Sequence, residues 1–371
     1  MKGYFEGLGK LGFGLMRLPR LEDGSIDVEQ TKKMTDLFLD AGMNYFDTAF
    51  VYEGSEDACR QALVDRYPRD RYFLATKLNA WMMCNDAESA KQQFFKSLER
   101  TGAGYFDSYL LHALKRENIE RYDEYGIWDF VKEQKEKGLI RHLGFSFHGD
   151  PEMLEGLLQK HPEVEFVQLQ LNYADWESPS VTSRRNYEVC RKYGKYVVVM
   201  EPVKGGLLAN PPEPVRKLFK EAEPDMSCAS WAIRFAASLE GVAVVLSGMS
   251  KIDQMKDNLS YMKDFKPLDE KEKAVIAKAQ EEMGKIFQIP CTGCHYCTPG
   301  CPVGMPIPDI FAAMNKKLLF GNDEDAKRSY RMSTEGKSKA SDCLQCGQCE
   351  NACPQHLTII EYLKQCAAAL E

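Results

Sequence analysis

Eight of the thirteen cysteines fall into two short runs in the C-terminal part of the chain. Both runs have the spacing C-x₂-C-x₂-C-x₃-C-P; they consist of Cys291, Cys294, Cys297 and Cys301 before Pro302, and of Cys343, Cys346, Cys349 and Cys353 before Pro354. Thiolate sulfur is a preferred ligand of zinc and of iron–sulfur clusters. Because the first ten residues contain no apolar stretch typical of a secretory signal, we interpret these thiols as metal ligands and not as disulfides.

The spacing of each run is that of bacterial ferredoxins, in which three cysteines bind one [4Fe–4S] cluster and the fourth binds its neighbour. By this resemblance, cluster A takes Cys291, Cys294, Cys297 and Cys353, and cluster B takes Cys343, Cys346, Cys349 and Cys301. Zinc is the alternative, but a zinc ribbon requires only two C-x₂-C pairs. We therefore predict two [4Fe–4S] clusters. Ile307–Phe320 and Asp323–Arg331 have helical character, so the region resembles the mainly α-helical type of ferredoxin domain.

Four polar side chains lie at or just after the ends of three consecutive predicted strands. Asp47 closes the second strand, Tyr52 follows in the next loop, and Lys77 and His112 end the third and fourth strands. Each residue alone would be uninformative, since strand-end Asp and Lys often simply pair. Because the carboxyl ends of parallel strands share one rim, we expect the four side chains to converge on one mouth.

The elements that carry these residues alternate regularly from Leu11 to about Tyr261. The predicted strands are Leu11–Leu15, Met43–Asp47, Tyr72–Lys77, Ser108–His112, His142–Ser146, Phe166–Asn172, Val197–Glu201 and Ala243–Ser247. The helical segments between them include Asp27–Ala41, Glu88–Thr101, Trp128–Lys137, Asp150–Leu158 and Asp225–Leu239. Eight alternations over about 250 residues predict a (β/α)₈ TIM barrel of the α/β class. A doubly wound sheet is the competing fold, but its glycine-rich dinucleotide fingerprint is missing after the early strands.

The composition changes after Pro290 to one rich in Cys, Gly and Pro, which marks a domain boundary. We predict the barrel over residues 1–265, a connecting helix within 266–289 that spans Glu270–Lys285, and the small ferredoxin-like domain over 290–371. The net charge of −7 argues against nucleic-acid binding, which usually requires a basic face. No apolar run approaches the length of a membrane span. We expect a cytoplasmic protein with neither nucleic acid nor membrane as a partner.

From about residue 8 to residue 262 the sequence resembles the aldo-keto reductase family, and Asp47, Tyr52, Lys77 and His112 carry the resemblance. It implies an oxidoreductase that reduces a carbonyl, or oxidises an alcohol, of a small-molecule substrate with NAD(P)H. Tyr52 would act as the general acid, and Lys77 would lower the pKa of Tyr52 by favouring the phenolate. Asp47 would hold Lys77 in place, and His112 would orient the carbonyl.

The same resemblance implies contacts to the nicotinamide half of the cofactor. Ser146 and Gln168 match the positions that bind the carboxamide, although Phe147 stands where many relatives carry asparagine. Met200 takes the place of an aromatic residue that stacks on the ring, and strand packing is an equally weighted interpretation. Lys204 follows the seventh strand, where the pyrophosphate is normally covered; a solvated loop charge is the alternative.

The segment from Ser247 to Asn258 resembles the family's adenosine-phosphate loop and the helix after it, whose first backbone amides favour phosphate. Ser250, Lys251 and Gln254 would hold a 2′-phosphate, and Asn258 would contact adenine. The stronger basic residues usual in this loop are missing, so the choice between NADH and NADPH stays open.

Two functions fit these features. The first is a carbonyl reductase of the aldo-keto reductase type, whose cluster domain is an electron port for a redox partner protein or a structural appendage. The second is an electron-transfer or redox-sensing iron–sulfur protein whose barrel binds nicotinamide without carbonyl turnover. The complete set of four rim residues favours the first.

Overall fold

The structure, a computed structural model, describes residue 5 and residues 7–179, 181–286, 288–291, 293–353 and 355–371. Pro354 of the second cysteine run lies outside the described residues. The chain divides into two compact units, which we call the barrel unit (Met1–Ala209 with Met226–Lys273) and the C-terminal unit (Asn210–Asp225 with Ala274–Glu371). Asn210–Asp225 thus groups with the C-terminal unit, although it lies within the range that the sequence assigns to the barrel.

Eight parallel strands close into a barrel in which each strand pairs with the next and the last pairs with the first. The strands are β1 (Leu11–Gly14), β2 (Tyr45–Asp47), β3 (Phe73–Leu78), β4 (Phe106–Leu114), β5 (Ile140–Phe147), β6 (Phe166–Gln170), β7 (Tyr196–Met200) and β8 (Val242–Ser247). The predicted (β/α)₈ barrel is confirmed. Strands such as β7 are apolar almost throughout because the surrounding helices bury one face and the barrel interior buries the other.

The helices fall between the strands and continue beyond the barrel. The described α-helices are α1 (Val28–Asp40), α2 (Ser55–Cys59), α3 (Ala87–Thr101), α4 (Ile119–Glu124), α5 (Ile127–Glu136), α6 (Pro151–Lys160), α7 (Ser183–Lys192), α8 (Glu213–Ala222), α9 (Cys228–Ala237), α10 (Ile252–Met262), α11 (Glu270–Lys285), α12 (Ile307–Phe320), α13 (Asp323–Thr334), α14 (Gln348–Ala352) and α15 (Ile359–Leu370). Short 3₁₀ helices cover Leu15–Arg17, Arg69–Arg71, Lys204–Ala209 and Ala340–Asp342, and a π-helical turn covers Arg60–Val64. In the part of the chain that is described, no helix has both the length and the apolar composition that crossing a membrane requires.

Aspartate side chains begin several barrel helices by accepting otherwise unpaired backbone N–H groups. The Asp27 side chain accepts from the Gln30 amide at 2.9 Å, and the Asp150 side chain accepts from the Met153 amide at 2.9 Å. Pro151 occupies the first turn of α6, where its missing N–H costs nothing. The helix predicted over Asp150–Leu158 is therefore present as α6, with Asp150 as its cap.

A layer of apolar side chains fills the barrel interior below its carboxyl end. Its buried members are Tyr45, Ala75, Leu110, Phe166, Val198, Val244 and Leu246. Gly144 makes room for this layer, because a Cβ at that position would lie 2.5 Å from the Phe166 ring. The barrel is thus a packed core, and its polar chemistry is confined to the rim.

The C-terminal unit has its own hydrophobic core, in which α12 contacts both α13 and α15. Ile310 and Phe311 of α12 and Leu363 of α15 are buried there. The predicted helix Ile307–Phe320 matches α12 residue for residue, and the predicted Asp323–Arg331 extends to Thr334 as α13. A small domain that is mainly α-helical is therefore confirmed.

Candidate active site and candidate cluster sites

Strand register places three of the predicted site residues on the inner face of the barrel. Asp47 pairs with Ala75, two residues before Lys77, and Lys77 pairs with Leu110, two residues before His112. Paired residues of a parallel sheet share a face, and side chains two residues apart on one strand point the same way. Asp47, Lys77 and His112 therefore all point into the mouth of the barrel.

A buried ion pair lies at the centre of this mouth. The Lys77 ammonium contacts the Asp47 carboxylate and also donates to the Thr48 carbonyl at 2.7 Å. The two side chains are only 1% and 5% exposed. The Gln168 amide donates to the other Asp47 oxygen at 3.2 Å. Burial raises the pKa of Asp47, and the Lys77 charge and these hydrogen bonds oppose that rise. Lys77 is thus held at a fixed position by its neighbours.

Tyr52 lies in the loop after β2 and contacts two of these groups. The Lys77 Nζ atom is 5.3 Å from the centroid of the Tyr52 ring. The Tyr52 and His112 rings meet edge to face, with their centroids 5.7 Å apart. The phenol, the ammonium and the imidazole therefore lie together, as the four-residue prediction requires.

The pKa of Tyr52 differs from the sequence-based expectation. Burial raises it above its usual value, the nearby Lys77 charge lowers it, and the Asp47 and Glu201 carboxylates raise it again. Lys77 acts in the predicted direction, but burial has the larger effect on the pKa of Tyr52. The phenol is consequently protonated at neutral pH, which is the state that a proton donor must have.

His112 is held as a neutral imidazole. Burial lowers its pKa well below the usual range, and the Lys77 charge and the neighbouring His148 act in the same direction. Its Nδ1 atom is buried and has no hydrogen-bond partner among the described residues. The backbone is fixed where the Tyr122 hydroxyl donates to the His112 carbonyl at 2.5 Å. A neutral ring at this position can donate one hydrogen bond to an oxygen in the mouth.

The predicted nicotinamide-binding residues line the neighbouring strands. Ser146 and Gln168 pair across β5 and β6, and each is 2% exposed. The Ser146 hydroxyl accepts from the Ala113 amide at 2.7 Å, so its own proton remains available for donation. Phe147 belongs instead to the hydrophobic core. Met200 ends β7 on the same inward face as Gln168, because Gln168 pairs with the residue two positions before it.

Lys204 lies in a strained loop and is paired. Glu201, Lys204, Gly205 and Gly206 all have positive φ angles, and the Lys204 ammonium contacts the Asp175 carboxylate at 2.5 Å. Lys204 is therefore not a solvated charge. Sequence reasoning missed Asp175, although its position three residues after Asn172 in a rim loop was a usable signal.

Arg17 was also missed, and it ties the loop after β1 to the loop after β7. Its guanidinium donates to the Gly205 carbonyl at 2.8 Å and lies 3.7 Å from the Glu201 carboxylate. Its position three residues after the end of β1 places it on the same rim. Arg17 thus anchors the loop that carries Lys204.

The predicted adenosine-phosphate residues surround the start of α10. The Gln254 side chain accepts from the Ser250 and Lys251 amides at 2.9 and 3.2 Å. Asn258 is buried, donates to the Ser247 hydroxyl at 2.8 Å and accepts from the Tyr261 hydroxyl at 2.6 Å. Gln254 therefore occupies the amides that a phosphate would use.

The C-terminal unit contains two cavities, each of which collects four cysteines from both runs. Cys291, Cys294, Cys297 and Cys353 line one cavity, and Cys343, Cys346, Cys349 and Cys301 line the other. The remaining walls are mostly apolar. These are the groupings that the ferredoxin resemblance implies, and four thiols around one space are the donor set that a [4Fe–4S] cluster requires.

A parallel (β/α)₈ barrel with ionisable side chains at the carboxyl ends of its strands has the architecture of the TIM-barrel enzymes. The chain belongs to the aldo/keto reductase family, whose model matches residues 10–281. A second family model, for a 4Fe-4S dicluster domain, matches residues 290–358. The protein is therefore an oxidoreductase-family barrel joined to an iron–sulfur domain.

The relatives agree with this assignment. An uncharacterized oxidoreductase of Bacillus subtilis, YqkF, is 24% identical over 318 residues, which cover 76% of this chain and 96% of the relative. The holo form of an aldo-keto reductase from Bacillus halodurans is 27% identical, with a TM-score of 0.60, and the match covers 73% of this chain and 92% of that one. A Klebsiella pneumoniae aldo/keto reductase crystallised with NADP and acetate shares the fold at 19% identity, with a TM-score of 0.60 and coverage of 73% and 91%.

Proposed function

We propose that this protein reduces the carbonyl group of a small molecule, or oxidises the corresponding alcohol, with NAD(P)H, and that Tyr52 is the general acid. One observation carries the proposal: Tyr52 contacts both Lys77 and His112 at the mouth of the barrel. These three groups could act together on a single oxygen atom.

In the proposed reaction, the protonated Tyr52 hydroxyl donates its proton to the carbonyl oxygen as negative charge develops there. Lys77 stabilises the phenolate that forms, because its ammonium lies beside the ring. Asp47 and the Thr48 carbonyl keep that ammonium in place. The neutral His112 donates a hydrogen bond that orients the carbonyl.

The bound dihydronicotinamide would supply the hydride. Ser146 and Gln168 would hold its carboxamide, and Met200 would cover the ring. The Klebsiella pneumoniae structure contains NADP, and a soybean relative that is 27% identical is named as NAD(P)H-dependent, which supports this assignment.

The outer half of the cofactor would lie along the rim. Lys204 would cover the pyrophosphate, and Ser250, Lys251 and Gln254 would contact phosphate, with Asn258 near adenine. The Gln254 side chain would have to leave the Ser250 and Lys251 amides when phosphate binds there, because both would use the same donors.

We also propose that the C-terminal unit holds two [4Fe–4S] clusters, A and B, in its two cavities. The four thiols around each cavity support this assignment. Cys294 and Cys346 are the exposed members of the two sets, so a redox partner protein could approach each cluster there. After anaerobic purification, two clusters correspond to about eight iron atoms per chain.

The test compares the parent enzyme with Tyr52→Phe in aldehyde-dependent oxidation of NADH and NADPH. We expect a loss of about 10²–10⁴-fold in kcat, the usual contribution of a general acid. Tyr193→Phe is the matched control, because the Tyr193 hydroxyl contacts only surface side chains in the described structure. Unchanged turnover in Tyr52→Phe would overturn the assignment of the acid.

The alternative function, electron transfer or redox sensing without carbonyl turnover, is favoured by one observation: Phe147 is buried in the core and offers no amide to the nicotinamide. It predicts that NADH or NADPH bleaches the cluster absorbance of the anaerobic protein, while no aldehyde or ketone accelerates cofactor oxidation. Carbonyl-dependent turnover that Tyr52→Phe abolishes would exclude this alternative.

A further inference from the structure

The two cysteine runs carry different side chains at corresponding positions. Thr298 follows the third cysteine of the first run, and Glu350 follows the third cysteine of the second run. Since the spacing of the runs is otherwise identical, these two residues stand in the same relation to their cavities. One is a neutral hydrogen-bond donor and the other is a carboxylic acid.

Thr298 directly follows Cys297, which lines the first cavity. The Thr298 hydroxyl oxygen is buried and has no hydrogen-bond partner in the described part of the chain. Burial raises the pKa of the Cys297 thiol and the Thr298 hydroxyl lowers it, so the two side chains lie close together. A buried hydroxyl normally satisfies its donor, and the sulfur of Cys297 would become a strong acceptor as a cluster-bound thiolate.

The Glu350 carboxylate is held by the backbone of a residue that lines the second cavity. It accepts from the Ile360 amide at 2.9 Å, at the start of α15. Ile360 itself lines the cavity that Cys349 shares. The acid is therefore held close to this cavity by the backbone and is not a freely moving surface group.

The residues that line the two cavities differ in the same sense. His295 and Gln355 line the first cavity, and both side chains can donate hydrogen bonds. Apart from its four cysteines, the second cavity is lined in the described structure by apolar residues, which are Pro302, Val303, Met305, Ile307, Leu344, Ile360 and Leu363. The lining of the first cavity thus includes polar hydrogen-bond donors. The second cavity has apolar walls and an acid nearby.

Adding an electron makes a cluster more negative, so hydrogen-bond donors stabilise the reduced state and a nearby carboxylate destabilises it. We propose that the two clusters are inequivalent: cluster A, at Cys291, Cys294, Cys297 and Cys353, has the higher reduction potential, and cluster B has the lower one. This inference rests on the proposed binding of two clusters. Ile307 lines both cavities, so one side chain stands between the two sites. When the two clusters together hold a single electron, that electron resides on cluster A.

The test is an anaerobic titration of the full-length holoprotein with dithionite, followed by electron paramagnetic resonance at constant pH. Each cluster accepts one electron and passes from the 2+ to the 1+ state. We expect two separate one-electron steps that differ at least about tenfold in their equilibrium constants, which corresponds to about 59 mV.

Substitutions at two positions, Thr298 and Glu350, assign each reduction step to one cluster. Thr298→Val removes the hydroxyl at nearly constant volume and should shift only the higher step, to lower potential. Thr298→Ser keeps the hydroxyl and should restore that step. Glu350→Gln keeps an oxygen for the Ile360 amide and should shift only the lower step, to higher potential. Glu324→Gln, at an exposed residue in the first turn of α13 and outside both cysteine runs, is the matched charge control and should shift neither step.

Iron analysis separates the two ways in which the proposal can fail. About eight iron atoms per chain with a single shared potential would overturn the inequivalence and leave the two-cluster proposal intact. About four iron atoms per chain would overturn both. A shift of the lower step in Thr298→Val would reverse the assignment and also count against the inference.

Discussion

The buried ion pair of Lys77 and Asp47 offers a test of the site by stability alone. Lys77→Met removes the ammonium and keeps a chain of similar length, so the change concerns charge more than packing. Asp47 would then be left as a carboxylate whose side chain is only 5% exposed. Its remaining side-chain partner among those described would be the Gln168 amide, at 3.2 Å.

Removing one partner of a buried ion pair costs about 3–5 kcal/mol, because the remaining charge is uncompensated. We expect the lower end of this range, since burial already raises the pKa of Asp47 and the carboxyl group can relieve its charge by taking up a proton. A loss of about 3 kcal/mol should lower the Tm of a unit this large by roughly 6–12 °C.

The loss should depend on pH. In Lys77→Met the folded pKa of Asp47 lies above its unfolded value, which is about 3.9. A raised carboxyl pKa penalises folding fully above the folded pKa and not at all below the unfolded pKa. The difference between Lys77→Met and the parent should therefore be small near pH 4 and should grow as the pH rises.

The assay is urea unfolding followed by tryptophan fluorescence, because all four tryptophans (Trp81, Trp128, Trp176 and Trp231) lie in the barrel unit. The double variant Asp47→Asn, Lys77→Met removes both charges and should recover most of the loss at pH 8. Lys132→Met, which breaks an exposed pair with Asp129, should change stability little. If Lys77→Met lost the same free energy of unfolding at pH 4 and at pH 8, the reasoning would be refuted. A double variant as unstable as Lys77→Met at pH 8 would refute it as well.

Three further outcomes follow from the described contacts. Carbonyl reduction should show no alkaline fall near neutral pH, because burial keeps the pKa of Tyr52 above its usual value; a kcat profile that falls near neutral pH would contradict this. Glu165→Gln should cost about 1–2 kcal/mol at pH 7, because hydrogen bonds and charges outweigh the burial of Glu165 and hold its pKa at about 2, while partial exposure to solvent screens part of this effect. The loss should shrink as the pH falls from about 4.5 towards 2, which urea unfolding can show. Asp107→Asn should cost about 2–4 kcal/mol, because the buried Asp107 side chain accepts from Arg69 at 2.6 Å and from the Leu74 amide at 2.9 Å; an unchanged Tm would show that this contact set contributes nothing.

Much of the fold could be predicted from local patterns. The predicted helix Glu270–Lys285 agrees with α11 at both ends, because its charged and alanine-rich composition favours a helix without tertiary help. The strand ends were less certain: β4 begins at Phe106 and ends at Leu114, beyond the predicted Ser108–His112. Strand bounds depend on the neighbouring strand, which the local sequence does not specify.

The candidate active site also has a part that the sequence predicts and a part that it does not. The sequence was sufficient to place Asp47, Lys77 and His112 on one rim, since each ends a predicted strand of a parallel barrel. It could not show that Lys204 pairs with Asp175, because the two residues are 29 positions apart and meet only when the loops after β6 and β7 are brought together.

The residue order by itself determined the barrel, the small helical domain and the two sets of regularly spaced thiols, because periodicity and spacing are local properties of a chain. Only the tertiary structure decided how the pKa values of Tyr52 and His112 are shifted. Burial of Tyr52 raises its pKa against the pull of Lys77, and burial of His112 keeps its ring neutral. Both results depend on how completely water is excluded from the barrel mouth, and that follows from the packing of the whole fold around it.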